Sequence, residues 1–367
     1  MWKLLSVVCV FMFYASTCWA GIHIDSLFQF ASKLKFYLLP SLSYQPLTHY
    51  AAGVNGGYFF HFIDPVKMSS VNFNLVFTQK GQFNINVYPR IYWGHQGSWF
   101  LTSFATVQNY PNYFVGVGNN PTKLLLSHPL PYTSRNVSIG IQPQRYISKR
   151  FLFGLQWFFR RERTIMSDSL RLKAYAQQRT GWDPYFMVGV GALISYDSRN
   201  SQYDPLNGVF YKGSFLYCDP LMGSSHHIVQ LTFDFRHFIQ LYHHHVLAWQ
   251  FLTDWRLGDA VPFQFLSTIG GQDILRGFPS GMFRDNGMAA LQTEYRFPIY
   301  DNFSGAVFGA TGDVLNSKRM TLYRLKTSYG AGLRFRITKA NINFRLDVTH
   351  NNYFKGFQYY LTTGNAF

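Results

Sequence analysis

The chain has 367 residues, with 33 Lys+Arg against 17 Asp+Glu and a formal charge of +16. Charged residues make up only 14%, against about 25% in ordinary globular domains, while Phe, Trp and Tyr reach 19%; so much apolar side chain excludes disorder, because it needs burial. A mean hydropathy of -0.07 excludes a bundle of membrane-spanning helices and leaves the transmembrane β-barrel, whose strands alternate lipid-facing and lumen-facing residues.

Met1-Trp2-Lys3, an apolar run from Leu4 to Tyr14 and the small-residue stretch closing at Ala20 predict a secretory signal peptide over residues 1–20. Neither Cys9 nor Cys18 follows a lipoprotein-type box. Removal of this leader takes away Lys3 and leaves 347 residues, a balance of +15 and one cysteine, Cys218. An intramolecular disulfide and a CxxC metal site are then excluded. Residues 21–35 read as a short N-terminal segment and 36–367 as the barrel, with nothing left over for a second domain. The basic balance fits loops against anionic outer-membrane lipid rather than nucleic acid.

Past the leader the repeating signal has period two. Val71, Phe73 and Leu75 alternate with Asn72 and Asn74, and Phe83, Ile85 and Val87 with Asn84 and Asn86. Val229, Leu231, Phe233 and Phe235 alternate with Gln230, Thr232, Asp234 and Arg236, and Ile342, Phe344, Leu346 and Val348 with Asn343, Arg345 and Asp347. One apolar face per strand is a strand signature. Turning that face to lipid leaves Asp234, Arg236, Arg334, Arg336, Arg345 and Asp347 lining a polar interior. Division at Gly, Pro, Asn and Asp clusters predicts sixteen strands, near residues 36, 50, 69, 82, 97, 132, 148, 186, 208, 226, 243, 287, 303, 327, 341 and 357. Long connections are expected at 110–131, 161–185, 257–286 and 313–326, alternating with short turns such as 93–96 and 240–242. Strands of roughly 9 to 11 residues would cross the membrane, with the long connections outside and both termini periplasmic.

The sixth outer connection carries Gly270-Gly271-Gln272-Asp273-Ile274-Leu275-Arg276-Gly277-Phe278, an apolar pair and an arginine between glycines. This segment resembles the GG-x-x-x-(V/L/I)RG(F/Y) hallmark of the bacterial surface antigen superfamily, the BamA/TamA-type outer-membrane assembly and translocation barrels. In order along the chain, Gly116-Val117-Gly118-Asn119-Asn120, Tyr196-Asp197-Ser198-Arg199-Asn200 with Pro205 and Gly208, Leu291 to Pro298, Asn343 to Val348 and the closing Gly364-Asn365-Ala366-Phe367 are similar to further family segments. The resemblance implies that the sixth outer loop folds into the lumen and that Arg276 meets two carboxylates on facing strands. Glu294 stands at the first position, whereas Ala310 replaces the aspartate expected in the second. Glu294 is therefore the expected partner, with Asp347 or Asp234 as alternatives, since a charge withdrawn from water needs pairing and a guanidinium favours two-pronged contact. Arg276 would act either as a plug that stiffens the barrel or as a strut that holds its wall while the seam between first and last strands opens. Pro40 cannot donate a ladder hydrogen bond and is either a seam feature or a strand start; Gly364 invites a kink at the other side of the seam. Phe367 resembles the C-terminal signal read by barrel-assembly machinery, which would make this chain itself a client.

The histidines His226, His227 and His243 to His245 are set aside as metal ligands, because neighbouring residues in a strand point to opposite faces. Arg160, Arg161, Arg163, Arg171, Lys173 and Arg179 are expected as lipid-facing or solvated charges. No catalytic motif, cofactor or metal is indicated. The expected fold is all-β, a sixteen-stranded antiparallel transmembrane barrel of the bacterial outer membrane. Its expected function is non-enzymatic help in inserting, assembling or translocating polypeptide or lipid; a passive channel is the alternative. The resemblance is to a member without POTRA modules, so client capture would fall to a separate periplasmic partner or would not occur.

Overall fold

The computed structural model describes residues 36–45, 48–62, 67–121, 125–126, 128–166, 180–258, 260–317, 324–336 and 343–367. The expected leader, residues 21–35, Arg171, Lys173, Arg179 and Ile342 lie outside them. In chain order the strands are β1 (Phe36–Gln45), β2 (His49–Phe60), β3 (Ser69–Thr78), β4 (Phe83–Trp93), β5 (Trp99–Phe114), β6 (Leu130–Tyr146), β7 (Phe151–Met166), β8 (Tyr185–Asp197) and β9 (Gly208–Cys218). They continue as β10 (Ile228–Tyr242), β11 (His245–Leu257), β12 (Ser267–Ile269), β13 (Phe283–Asp285), β14 (Gly287–Tyr300), β15 (Phe303–Leu315), β16 (Lys326–Arg336), β17 (Asn343–Asn351) and β18 (Gln358–Thr363). Sixteen of these form one antiparallel sheet in chain order, β11 pairing directly with β14, while β12 and β13 pair with each other inside the connection between them. That small hairpin has no counterpart in the sequence expectation, because three-residue strands are too short to show a period.

Alternation explains the faces. Along β7, Phe153, Leu155 and Trp157 are exposed while Leu152 and Gln156 are buried. Along β17, Asn343, Arg345, Asp347, Thr349 and Asn351 are all buried. Polar inside and apolar outside is the inverse of a soluble sandwich, and it is the division that lipid imposes on a spanning sheet.

Strand lengths correct one expectation. β5, β6 and β7 have 16, 17 and 16 residues, so the long connections begin after Phe114 and Met166 rather than at 110 and 161. At about 3.3 Å per residue these strands exceed 50 Å, well beyond an apolar band of about 25 Å. Their outer faces turn polar accordingly: Arg135 donates to Asn109 Oδ1 at 3.0 Å across β6 and β5, and Arg161 and Arg163 are exposed. Arg160 is a second correction. Register places it on the buried face beside Glu162, with which it forms a 2.6 Å ion pair, so it is neither lipid-facing nor solvated. Arg336 falls at the exposed end of β16, while Asp234, Arg334, Arg345 and Asp347 are buried and Arg236 is half-buried on the polar face.

The sheet curls with its polar face inward. In the β5–β6 connection Asn119 donates to Asp313 of β15 at 3.1 Å, and Lys326 of β16 donates to the Asn119 carbonyl at 2.6 Å. The β8–β9 connection reaches both ways: Gln202 donates to the Tyr92 hydroxyl and Tyr203 to Ser70 Oγ, on β4 and β3, while Asp204 accepts from Asn365 after β18 at 2.8 Å. Above the polar face an aromatic cluster of Phe114, Tyr132, Trp182 and Phe263 caps the end that carries the long connections.

Cys218 is 1% exposed, packed with Met187, Leu216, Ile228 and Phe265. A maleimide reagent should leave it unmodified in the folded protein and label it only after heating converts the folded band on a semi-native gel; fast labelling of the folded band would contradict the register of β8, β9 and β10.

Candidate functional site

The connection between β11 and β14 brings Arg276 to the polar face. Gly270 and Gly271 have φ of +100° and +113°, a region open to glycine and strained for other residues. The Gly271 N–H donates to the Phe278 carbonyl at 2.9 Å, closing the Leu275 to Phe278 tip. Leu275 and Phe278 are fully buried with Ile269, Met282, Phe283, Met288 and Val314. Their burial contributes about 1.5–3 kcal/mol each. The Gly277 N–H donates to the Tyr360 hydroxyl and its carbonyl accepts from Asn351, both at 2.9 Å. A Cβ at Gly277, whose φ is +112°, would stand 3.1 Å from Thr349 Oγ1, so this position needs glycine on two counts.

The Arg276 guanidinium lies over the Phe308 ring, 3.4 Å from its centroid. It donates through Nη2 to Glu294 Oε2 at 2.8 Å and through Nη1 to Asp347 Oδ2 at 2.7 Å. Arg334 spans the same two carboxylates, at 2.5 Å to Asp347 Oδ1 and 3.2 Å to Glu294 Oε2. Arg296 donates to Glu294 Oε1 at 2.8 Å, and Arg345 lies 3.5 Å from Asp347 and 3.0 Å from Asp273 of the connection itself. Glu294 and Asp347 are both fully buried. Two carboxylates thus hold four guanidiniums on β14, β16, β17 and the connection. Asp234, the other candidate partner, instead accepts from Arg236 and Gln250.

The second carboxylate comes from β17, not β15. Ala310 sits partly buried against the apolar cluster of the loop tip, and Asp347 occupies the polar position beside Arg334. Sequence reading passed over the floor beneath this network. A Cβ at Gly332 would stand 2.1 Å from Asp347 Oδ1, at Gly330 2.7 Å from Phe308, and at Gly312 2.8 Å from Leu275. Glycine inside a strand weakens it and marks a close approach, and three such glycines on one face of β15 and β16 were the available signal.

The remaining site residues fall at the ends of the sheet. Pro40 pairs with Val54 in β1, and β1 and β18 are the two edge strands. Gly364, with φ of +82°, follows β18 and turns the chain. Phe367 is buried with Phe238, Val246 and Ala248 on the inner face, and its carbonyl accepts from Arg296 at 3.1 Å. Of the histidines, His243 and His244 form the β10–β11 turn, and His227 contacts Asp219 at 2.9 Å. That hydrogen bond, with those from the Leu221 N–H and Tyr217, holds the Asp219 carboxyl below its ordinary range.

Loss of one partner from a buried ion network costs about 3–5 kcal/mol. Asp347→Asn and Glu294→Gln are each expected to lower the heat-conversion temperature on semi-native gels, and less than additively in combination, because both release the same guanidiniums. Arg276→Lys should not restore the wild-type value, since an ammonium cannot bridge both carboxylates in one plane. Additive losses, or full rescue by lysine, would refute the shared network.

A search of curated protein sequences finds no significant match. Among solved structures the fold is similar to BamA from Haemophilus ducreyi lacking POTRA domains 1-3, at 16% identity and a TM-score of 0.59, covering 90% of this chain and 69% of that one. It is also similar to CdiB from Acinetobacter baumannii, at 12% identity and a TM-score of 0.54; the match covers 90% of this chain and 58% of CdiB. The family model for the Omp85 superfamily domain matches residues 69–367, and the chain belongs to the Omp85 superfamily.

Proposed function

We infer that the chain works in the bacterial outer membrane and inserts or translocates polypeptide at the seam between β1 and β18, without a catalytic step. In this reading the sixteen strands wrap into a barrel, and the connection bearing Arg276 folds into its lumen. The single observation that carries it is the pair of edges, β1 and β18, that no other described strand pairs with, on a sheet that already curls far enough for Asn119 to reach β15 and β16. An exposed strand edge offers unpaired N–H and C=O groups to an incoming strand. β18 has six residues against nine in β17, and its continuation is diverted inward after Gly364. Pro40 removes one donor from the β1 ladder. The Arg276 network then serves as the strut that keeps β14 to β17 in register while the edges part. Phe367 acts as the signal by which barrel-assembly machinery takes up this chain, and a separate periplasmic partner delivers the client.

A cavity of about 490 Å³ between β5–β7 and β9–β11, lined by polar side chains such as Gln108, Asn136 and Gln142, favours one further reading, a passive channel that the sixth outer connection constricts. Depletion of the protein in its source bacterium, with quantification of the outer-membrane and surface proteomes, separates the two. Selective loss of a few surface or barrel proteins, restored by wild type and not by Arg276→Ala, is the expected result. An unchanged proteome together with stable conductance of the purified protein in planar bilayers would establish the channel instead.

A further inference from the structure

The connection between β8 and β9 is out of scale with its end of the sheet. It runs over ten residues, 198–207, where the turns at 243–244 and 301–302 have two, and its shape is fixed from within. Asn200 Oδ1 accepts from the Leu206 and Asn207 N–H groups at 2.9 and 3.3 Å, and Ser201 Oγ accepts from the Asp204 N–H at 3.3 Å. At the base the Val209 N–H donates to Ser198 Oγ at 3.0 Å, and Arg199 pairs with Asp197 at 2.7 Å. Gly208 closes the base with a φ of +102°, and a Cβ there would stand 2.5 Å from the Ser198 carbonyl oxygen. A connection packed and bonded on itself in this way presents its tip, Gln202 to Leu206, as one piece.

That tip touches both margins of the sheet, although β8 and β9 are the two middle strands of the sixteen. Tyr203 holds the first margin. Its hydroxyl donates to Ser70 Oγ of β3 at 3.3 Å, and its ring meets Phe59 of β2 edge-on with 5.9 Å between centroids. Gln202 adds a hydrogen bond to the Tyr92 hydroxyl of β4. The next residue holds the other margin. Asn365, two residues beyond β18, donates through Nδ2 to Asp204 Oδ1 at 2.8 Å and to the Tyr203 carbonyl at 3.3 Å. Arg296 of β14 stands 3.9 Å from the same carboxylate, and Leu206 packs against the cluster that buries Phe367. Tyr203 and Asp204 are adjacent, so one peptide unit, about 3.8 Å between Cα atoms, links the β2–β4 side of the seam to the tail of β18.

We propose that residues 202–206 form a strap across the periplasmic mouth that ties the two sides of the seam from within, and that Asn365 must leave Asp204 before the β18 edge takes in another strand. The tie stands on the contacts alone; the release step rests on the seam reading above. Asp204 is the positioning residue at which the strap lets go. Its bonds to Asn365 are polar and both side chains are half-buried, so water can replace them, whereas the Tyr203 ring is packed on Phe59 and lies 5.9 Å from the Arg90 guanidinium. The two margins are coupled only while the strap is whole. Loosening it at the Phe59 end therefore loosens the tail as well, even though no contact of Asn365 is removed.

Hydrogen exchange followed by mass spectrometry on the folded, full-length protein reads the tie without reference to activity. Asp204→Ala should speed exchange in the peptide 358–367 at least about tenfold, and Asp204→Asn, which keeps an acceptor oxygen, should leave it slow. Tyr203→Ala keeps its own carbonyl and the Asp204 carboxylate, yet it should speed the same peptide. Both alanine variants should run as folded bands on semi-native gels and leave residues 270–278 at the wild-type rate. Unchanged exchange of 358–367 in Tyr203→Ala would overturn the strap. For the release step, the pair Asp204→Cys and Asn365→Cys is expressed in the depleted strain and bridged there by a short, reducible bis-thiosulfonate reagent, Cys218 being buried. The unbridged pair should restore the surface proteome, the bridged form should not, and reduction should bring it back. Failure of the unbridged pair, or full restoration by the bridged form, would overturn the release step and leave the seam reading standing. An unchanged proteome on depletion alone would overturn the seam reading and the release step together, while the exchange result still decides the strap.

Discussion

Two buried carboxylates decide how the second half of this molecule is arranged. Glu294 and Asp347 have no access to water, so each must be matched by cations, and each is met by three guanidiniums. Those guanidiniums come from β14, β16, β17 and from the connection between β11 and β14, so satisfying the charges fixes the positions of all four. The connection is long enough to lie anywhere. It is held in one place because withdrawing Arg276 would leave both acceptors short of a donor and at the same time expose Leu275 and Phe278.

Much of the sheet was legible in the sequence because a lipid-facing strand has no freedom in its pattern. Each of the sixteen sheet strands starts within three residues of the expected position, the largest difference being Phe151 against 148. Strand ends were less legible where the strand outruns the bilayer. Beyond the apolar band the outer face of β7 carries Arg161 and Arg163, and hydropathy reads such residues as loop although the ladder to β8 continues through Glu162. The mistaken placing of Arg160 has the same origin: a charge near a presumed membrane boundary looks solvated, and only its register with Glu162 reveals the inner face.

The site was legible in its motif and in one partner, Glu294, while the second stood open between Asp347 and Asp234. Glycines around Leu275 to Phe278 announce a constrained tip from composition alone. That Asp347 rather than a β15 residue supplies the second carboxylate depends on four strands meeting in space, and no local pattern encodes it. Ala310 shows why the exchange is tolerated. With no carboxylate there, β15 contributes to the apolar bed of the loop tip, and the charge one would expect at that position is carried by β17, within reach because Gly332 leaves the space above Asp347 open.

Relative strengths then indicate which part yields first. The Arg276 network couples several buried ions, each costing about 3–5 kcal/mol to orphan, and it is reinforced by the apolar tip. The segment after β18 is held by one buried ring, worth about 1.5–3 kcal/mol, by the charge-assisted hydrogen bonds of Asn365 to Asp204 and of Arg296 to the Phe367 carbonyl, worth about 1.5–3 kcal/mol each, and by the Gly364 N–H on the Asn343 carbonyl. Asp204 and Phe367 bind that segment to the β8–β9 connection and to β10 and β11, while Gly364 and Asn365 bond Asn343 of its neighbour β17. A disturbance at the seam meets these single contacts before it reaches the coupled ions of the loop. Such an ordering suits a wall that must stay in register on one side while an edge is exposed on the other.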